Sequence, residues 1–268
     1  MVRNVALETM RAGKVALGIT LRFERGTHIA RAMQVSGFDW LFLDLEHGAI
    51  PLDTVAAISM AGLEAGITPI VRVPAMDLGM AVRVLDTGAL GVLMPHVETV
   101  EEARAIAAAF RYPPLGHRSI SSTLPHFHFK PPPLLEACRQ LDAATMVGVM
   151  LETPSAVENV DEIAAVPGID VLLIGASDLT AESGLHGQFE HPRVLAMFEK
   201  VMAAGRRHGK VVGIGGIGSD ADMARCCGMG MKMIVAAGDI SLLVSAASAR
   251  TRSLRELIAG SPAERQPG

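Results

Sequence analysis

Cysteine is scarce in this chain: three in 268 residues, Cys138 and the neighbours Cys226 and Cys227. Three thiols cannot all pair within one chain, and adjacent cysteines are poorly placed to pair with each other. That excludes a disulfide scaffold and sets a reducing compartment, the cytoplasm, as the expectation. No charge sign dominates either: 24 Lys plus Arg against 28 Asp plus Glu leave a formal charge of −4. This is too mild for nucleic acid or an anionic membrane as the main partner. Long apolar runs are also missing. Nothing approaches the ~18 apolar residues of a membrane span, and Arg3, Glu8, Arg11 and Lys14 interrupt the N-terminus before any run of signal-peptide length.

What is present is core-forming material, with 50% hydrophobic residues, 19% charged residues and a mean hydropathy of +0.35. Disorder is excluded over most of the chain. Short apolar runs rich in Val, Ile, Leu and Met recur at 15–20, 40–44, 69–73, 91–94, 146–151, 171–174, 211–214 and 232–236. Runs without polar alternation are what strands look like when both faces are covered. Between them lie helical stretches at 26–35, 52–61, 79–85, 99–110, 155–164, 191–208, 219–226 and 240–258. Thr99-Val-Glu-Glu102 and Ser155-Ala-Val-Glu158 read as capping boxes at two of the helix starts. Eight β-then-α units without a linker predict one (β/α)₈ barrel over residues 1–259, with an open doubly wound sheet as the alternative. Pro, Gly and charge at 260–268 predict a disordered tail. The Pro-rich connection from Tyr112 to Asp142 predicts a long loop with one helix near 134–141, of the kind that serves as a lid, a binding loop or a subunit contact.

Residues leaving the C-terminal ends of barrel strands point into the mouth. The second run ends Asp44-Leu-Glu46-His47, the third Arg72-Val-Pro, the fifth Leu-Glu152, and the sixth Gly-Ala-Ser177-Asp178. Each has a bland reading alone: Asp178 as a helix N-cap, Glu152 and Arg72 as a structural ion pair, His47 as a loop histidine. Together at four strand ends they predict a site. Glu152 and Asp178, on adjacent strands about 4.8 Å apart, offer oxygens to one hard divalent cation, with magnesium or manganese favoured over zinc. Arg72 supplies fixed positive charge for a developing oxyanion. His47, with Asp44 three positions back, is placed as a general base. None of the five lysines, Lys14, Lys130, Lys200, Lys210 and Lys232, leaves a strand end, so a Schiff-base mechanism lacks its amine. The pattern is that of enolate chemistry, with a metal as the electron sink.

Asp44-Leu-Glu-His47 after Gly37-Phe-Asp-Trp40, Arg72-Val-Pro74, Leu85-Asp86-Thr-Gly88, Arg111-Tyr-Pro-Pro114, Glu152-Thr153 and Gly175-Ala-Ser-Asp-Leu179 resemble the HpcH/HpaI aldolase family, from about Val15 to Ala249. These are class II, metal-dependent aldolases acting on pyruvate and related 2-oxo acids, on a (β/α)₈ barrel. The resemblance implies a divalent ion, Mg²⁺, Mn²⁺ or Co²⁺, on Glu152 and Asp178, with a 2-oxo acid and an aldehyde as substrates. Amides around Ser177 and Asp178 would hold the substrate carboxylate, and Arg72 the enolate oxygen. His47, tuned by Asp44, would take the C4 hydroxyl proton. Asp86 would face the aldehyde end, across a subunit boundary. A homo-oligomer, trimer or hexamer, that exchanges its last helix is also implied. The chain departs from the family pattern at Met150, where Gln is usual, at Ala176-Ser177 and Leu45, and in the loop at 116–133. Those departures bear on the substrate, since relatives also join an enolate to other acceptors in citrate-forming and CoA-ester lyase reactions. A non-catalytic scaffold with a stabilising metal is the competing class. Gly213-Ile-Gly-Gly-Ile-Gly218 is discounted as a dinucleotide fingerprint because only one further strand follows it.

Overall fold

The computed structural model describes residues 2–121 and 123–259, so the tail expected at 260–268 lies outside the described residues. Eight parallel strands close into a barrel in sequence order: β1 Ala16–Leu21, β2 Trp40–Asp44, β3 Thr68–Arg72, β4 Gly91–Met94, β5 Met146–Leu151, β6 Val171–Gly175, β7 Val211–Gly215 and β8 Met233–Gly238. The helices are α1 Val5–Arg11, α2 His28–Val35, α3 Leu52–Ala65, α4 Leu78–Asp86, α5 Val100–Phe110, α6 Leu134–Ala144, α7 Pro154–Glu158, α8 Val160–Ala165, α9 Ala176–Glu182, α10 Pro192–His208, α11 Asp220–Gly228 and α12 Asp239–Ala259. The barrel expected from the sequence is the barrel found, and the open sheet is excluded by the pairing of β1 with β8.

Two apolar layers hold it. Outward strand residues such as Leu41, Val71, Val149 and Leu172 pack against the helices, whereas Trp40, Phe42, Ile70, Leu93, Met150, Leu173 and Met233 fill the interior. Ala6, Leu7 and Met10 of α1 join that inner layer and close the bottom. Asn4 fastens the plug: its amide donates to the carbonyls of Leu90 (3.1 Å) and Ala144 (2.8 Å), while its Oδ1 caps α1 at the Leu7 amide. α1 has no counterpart among the expected helices, because about two turns interrupted by charge show no usable period.

Three local expectations need correction. Thr99 and Glu102 form the capping box as read, but the second helix starts two residues early. Thr153 caps it through the Ala156 amide and Pro154 takes the first turn, so Ser155 is no cap, and the stretch is broken at Asn159 into α7 and α8. The loop after α5 is no lid over its own barrel. Strands run towards the mouth and helices return, so α5 ends at the bottom, and the connection stays there: the His126 ring bonds the Ala89 carbonyl, and Glu136 and Arg139 of α6 border the same groove as Asn4 and Leu7 of the bottom plug. His126 is buried there and His128 is exposed beside Glu64, so the two do not form a metal pair.

In register, Gly18 faces Trp40, and a Cβ on Gly18 would stand 2.0 Å from the indole. Gly18→Ala therefore forces the chain's one tryptophan out of its seat. The expected cost is about 1–3 kcal/mol, read as a lower urea midpoint by Trp40 fluorescence; an unchanged midpoint would show that the interior has slack.

Candidate active site

The strand ends meet as the sequence predicts, at a cavity of about 250 Å³ in the barrel mouth. Its walls carry Arg22, His47, Arg72, Glu152, Ser177 and Asp178 over an apolar floor of Phe42, Met150, Leu173 and Val235. The centre of the charge arrangement is a pair that strand register creates, because Asp44 and Arg72 are direct partners across β2 and β3. Arg72 donates through Nε to Asp44 Oδ1 (2.9 Å) and through Nη2 to Oδ2 (2.8 Å), a two-pronged bond between buried groups. Its remaining Nη1 lies 2.7 Å from Glu46 Oε2, and the guanidinium stacks over the Phe42 ring at 5.3 Å.

Asp44 has further partners that change the role expected of it. Arg22 Nε donates to its Oδ2 (2.6 Å), and the backbone amides of Glu46 (3.1 Å) and His47 (3.3 Å) donate to its Oδ1. The carboxylate thus shapes the turn that carries His47 and does not touch the imidazole, which corrects the expectation that Asp44 tunes the ring. A carboxylate with a full set of amide and guanidinium donors has none left over for a side chain three positions on. The His47 side chain is 52% exposed, and its nearest charged neighbour is Glu46, at 3.8 Å.

His96 was overlooked in the sequence. It stands two residues past β4 at φ 53°, a conformation L-residues seldom adopt, and that turn aims its amide at Glu152 Oε2 (2.8 Å). Its ring spans two carboxylates, Nδ1 3.3 Å from Glu152 and Nε2 3.1 Å from Glu46. Arg22, Asp44, Arg72, Glu46, His96 and Glu152 therefore form one connected chain of polar contacts around the mouth. Leu21-Arg22 and Met94-Pro-His96 carry the same strand-end signal in the sequence as the other mouth residues.

Glu152 is buried at the end of β5, and its carboxylate lies across the next strand end: a Cβ on Gly175 would stand 2.6 Å from Oε1. Only glycine leaves room for that carboxylate, and Asp178, which lines the same cavity, sits exposed in the first turn of α9. Burial pushes the Glu152 carboxyl above its usual range, against the His96 amide and ring, which favour the charged form. The donor set therefore fits a hard divalent cation: one carboxylate just past β5, cradled by a glycine, and one in the first turn of the helix after β6. Among the described residues no third His, Cys, Asp or Glu completes a closed metal cage, so further ligands are left to water and substrate. No side chain caps α9, which leaves its first amides, around Ser177 and Asp178, open towards the cavity. Ser177 Oγ donates to the Gly216 carbonyl (2.9 Å), and Gly216, at φ 80°, has no space for a Cβ beside it. The glycine-rich stretch after β7 is thus a wall of this site.

Asp86 is not in this mouth. It ends α4, and a returning helix ends at the bottom of the barrel. There it pairs with Arg118 (2.7 Å), which stacks over the Tyr112 ring at 4.9 Å. Among the described residues no lysine lines the cavity; Lys210, for example, donates to the carbonyls of Val166 and Ile169.

Burial alone would raise the Asp44 carboxyl, but the hydrogen bonds and charge of Arg72, with Arg22 behind it, hold it down at about 2. A carboxyl depressed in the folded state contributes stability above its unfolded value near 3.8 and loses it as pH falls towards about 2. On the order of 2 kcal/mol is at stake. Urea midpoints measured from pH 5 to pH 3 should fall more steeply in the wild type than in Asp44→Asn, and parallel slopes would show that the pair does not carry the acid sensitivity.

The profile of the HpcH/HpaI aldolase/citrate lyase family matches residues 25–246. A 4-hydroxy-4-methyl-2-oxoglutarate aldolase of Hapsidospora irregularis is 39% identical over 216 residues, 80% of either chain. In fold, the chain superimposes on a crystal structure of an HpcH/HpaI aldolase from Desulfitobacterium hafniense DCB-2 with a TM-score of 0.87 and 29% identity, covering 98% of this chain and 97% of that one. It is also similar to the citrate synthase SbnG, with a TM-score of 0.82 and 28% identity over 95% of this chain and 98% of that one. The resemblance carried by the strand-end motifs is thereby borne out: the chain belongs to the HpcH/HpaI aldolase/citrate lyase family, and its chemistry is that of a carbon–carbon lyase.

Proposed function

We propose that the site makes or breaks the bond between the enolate of a pyruvate-type 2-oxo acid and a carbonyl acceptor, with a divalent metal on Glu152 and Asp178. The observation that carries this is the glycine-cradled Glu152 carboxylate leaning over the strand end that leads to Asp178, in a mouth without lysine. When bound, the ion, Mg²⁺, Mn²⁺ or Co²⁺, polarises the keto oxygen and serves as the electron sink that an amine would otherwise supply. The rest falls to the chain. The open first amides of α9 receive the substrate carboxylate, favoured there by the helix dipole. Arg72, locked by Asp44, holds positive charge beside the enolate oxygen without having to reorganise during reaction. His47, held by its amide and free at its ring, takes the proton from the C4 hydroxyl. The C3–C4 bond then breaks, its electrons pass into the enolate, and a proton at C3 gives the 2-oxo acid.

The similar Hapsidospora protein carries in its name a substrate that splits into two pyruvates, so 2-oxo acids join aldehydes as acceptors to try. The similarity to a citrate synthase supports a second reading, an enolate joined to another acceptor on the same scaffold; metal-dependent pyruvate release separates the two. We place the protein in the cytoplasm on its three free thiols; none of its described helices is long and apolar enough to cross a membrane.

We also infer a homo-oligomer. α12 buries none of its residues, and Leu243, Leu257 and Ile258 are among its exposed apolar side chains, while Leu17 of β1 is 40% exposed on the barrel wall. A neighbouring barrel that exchanges this helix would cover both, and only across such a boundary does Asp86 meet an acceptor. Light scattering should show a trimer or hexamer for the full chain; a monomer would remove Asp86 from the reaction.

With Mg²⁺ or Mn²⁺ added back after chelation, pyruvate release should return. Glu152→Gln should stay folded, lose Mn²⁺ binding by electron spin resonance, and lose activity, whereas unfolding would favour the non-catalytic scaffold. His47→Ala should lower kcat about 10²- to 10⁴-fold with Mn²⁺ affinity kept; equal loss of both would reject its role as base. Borohydride with pyruvate should leave no adduct on any lysine.

A further inference from the structure

We infer that Arg22 is the acceptor's carboxylate anchor, and that the acceptor class is a short carbonyl acid, such as a second 2-oxo acid, in preference to an uncharged aldehyde. The inference rests on the aldolase reading above and adds a residue and a substrate class to it.

Arg22 follows β1 directly and lines the mouth cavity with a side chain that is 41% exposed. Its placement is built at both ends. Asp239 Oδ2 accepts the backbone amides of Arg22 (3.1 Å), Phe23 (2.8 Å) and Glu24 (2.9 Å), fixing the loop. Asp44 Oδ2 accepts Nε (2.6 Å), fixing the side chain. The two terminal nitrogens then have no hydrogen-bond partner among the described residues. Arg72 differs, because all three of its nitrogens face Asp44 or Glu46. Of the two guanidiniums in the mouth, Arg22 is the one that keeps a two-donor edge for a ligand, and such an edge matches a carboxylate.

Barrel order gives the direction. In a closed ring of eight strands β1 lies opposite β5, so Arg22 stands across the mouth from Glu152 and next to neither Glu152 nor Asp178. A 2-oxo acid held at the β5–β6 side therefore extends its C4 end towards β1. On the way it crosses Phe42, Met150, Leu173 and Val235, where Thr20 is the one hydroxyl among the floor residues. That floor suits a methyl-bearing carbinol carbon, and the cavity, about 250 Å³, suits a ligand smaller than a typical drug. Cleavage of such a substrate balances without a co-reactant: 4-hydroxy-4-methyl-2-oxoglutarate loses its C4 hydroxyl proton, breaks C3–C4, and becomes two pyruvates after one proton returns to C3.

The test compares two substrates on the metal-loaded enzyme, with pyruvate release as the readout. One is 4-hydroxy-4-methyl-2-oxoglutarate, whose acceptor half carries a carboxylate; the other is 4-hydroxy-2-oxopentanoate, whose acceptor half is acetaldehyde. The wild type should favour the first in kcat/KM. Arg22→Met lowers both, since Asp44 loses a partner, so the ratio carries the test. It should fall by about 10- to 100-fold, and Arg22→Lys should restore part of it. A ratio within twofold of the wild type in Arg22→Met, or a wild type that prefers the neutral acceptor, would overturn the assignment while leaving the aldolase reading intact. Pyruvate from neither substrate would overturn both. Should Arg22→Met not fold, inhibition of the wild type decides: 2-oxoglutarate should bind at least about tenfold tighter than 2-oxopentanoate, and equal affinities would rule the anchor out.

Discussion

The site depends on one ion pair whose partners are placed by strand register. Asp44 and Arg72 face each other at the last rung of β2 and β3, both buried. Taking two charges out of water costs several kcal/mol each, and only close geometry with every remaining donor and acceptor satisfied offsets that cost. Here the pair itself meets them, while the outlying Glu46 Oε2, 2.7 Å from Arg72 Nη1, makes an ion contact without a hydrogen bond. Arg72 spends two nitrogens on Asp44 and the third on Glu46, and Asp44 also receives Arg22 and two backbone amides. Because the pair is satisfied internally, it is rigid, and the turn carrying His47 is rigid with it. His47, the proposed base, is positioned by its own backbone, and its ring carries no bond to Asp44.

The same economy separates the site into two halves. On the β1–β3 side positive groups are matched by Asp44 and Glu46, so this half is near neutral before anything binds. On the β5–β6 side, among the described residues, neither Glu152 nor Asp178 pairs with a lysine or arginine, and the His96 ring lies beside Glu152. Uncompensated carboxylates near one another favour a cation, and the glycine at position 175 ensures that the space between them is not filled by a side chain. Charge and steric room thus agree with the proposal that puts the metal in one half and the proton transfer in the other.

Much of this was legible in the residues, and the failures have a common cause. Buried parallel strands announce themselves as unbroken apolar runs, so β2, β4 and β5 were read to the residue. Strand direction then named the mouth, and with it His47, Arg72, Glu152 and Asp178. What sequence spacing could not convey is which atoms of a side chain are already taken. Asp44 lies three positions from His47, yet its oxygens go to amides and guanidiniums. Asp86 belongs to a family motif, yet a returning helix ends it at the far end of the barrel. The short helices α1 and α9 lack a readable period, and Pro154 moved a cap from Ser155 to Thr153. Arg22 and His96 carried the same strand-end signal as the others; their contacts across strands, and not the motif alone, give them weight.

The last helix ties assembly to the site. α12 begins at Asp239, directly after β8, and that one carboxylate collects three amides of the loop after β1. Its acidity is strengthened accordingly: burial would raise the Asp239 carboxyl, but the donated amides bring it below its ordinary value, so it stays charged and keeps hold of the loop. Beyond Asp239 the helix leaves the barrel with its apolar side chains uncovered. The residue that starts an outward helix is therefore the residue that shapes the loop bearing Arg22. In the oligomer proposed above, the surface that receives α12 would set the direction in which it leaves, and Asp239 is the residue that joins that direction to the loop bearing Arg22.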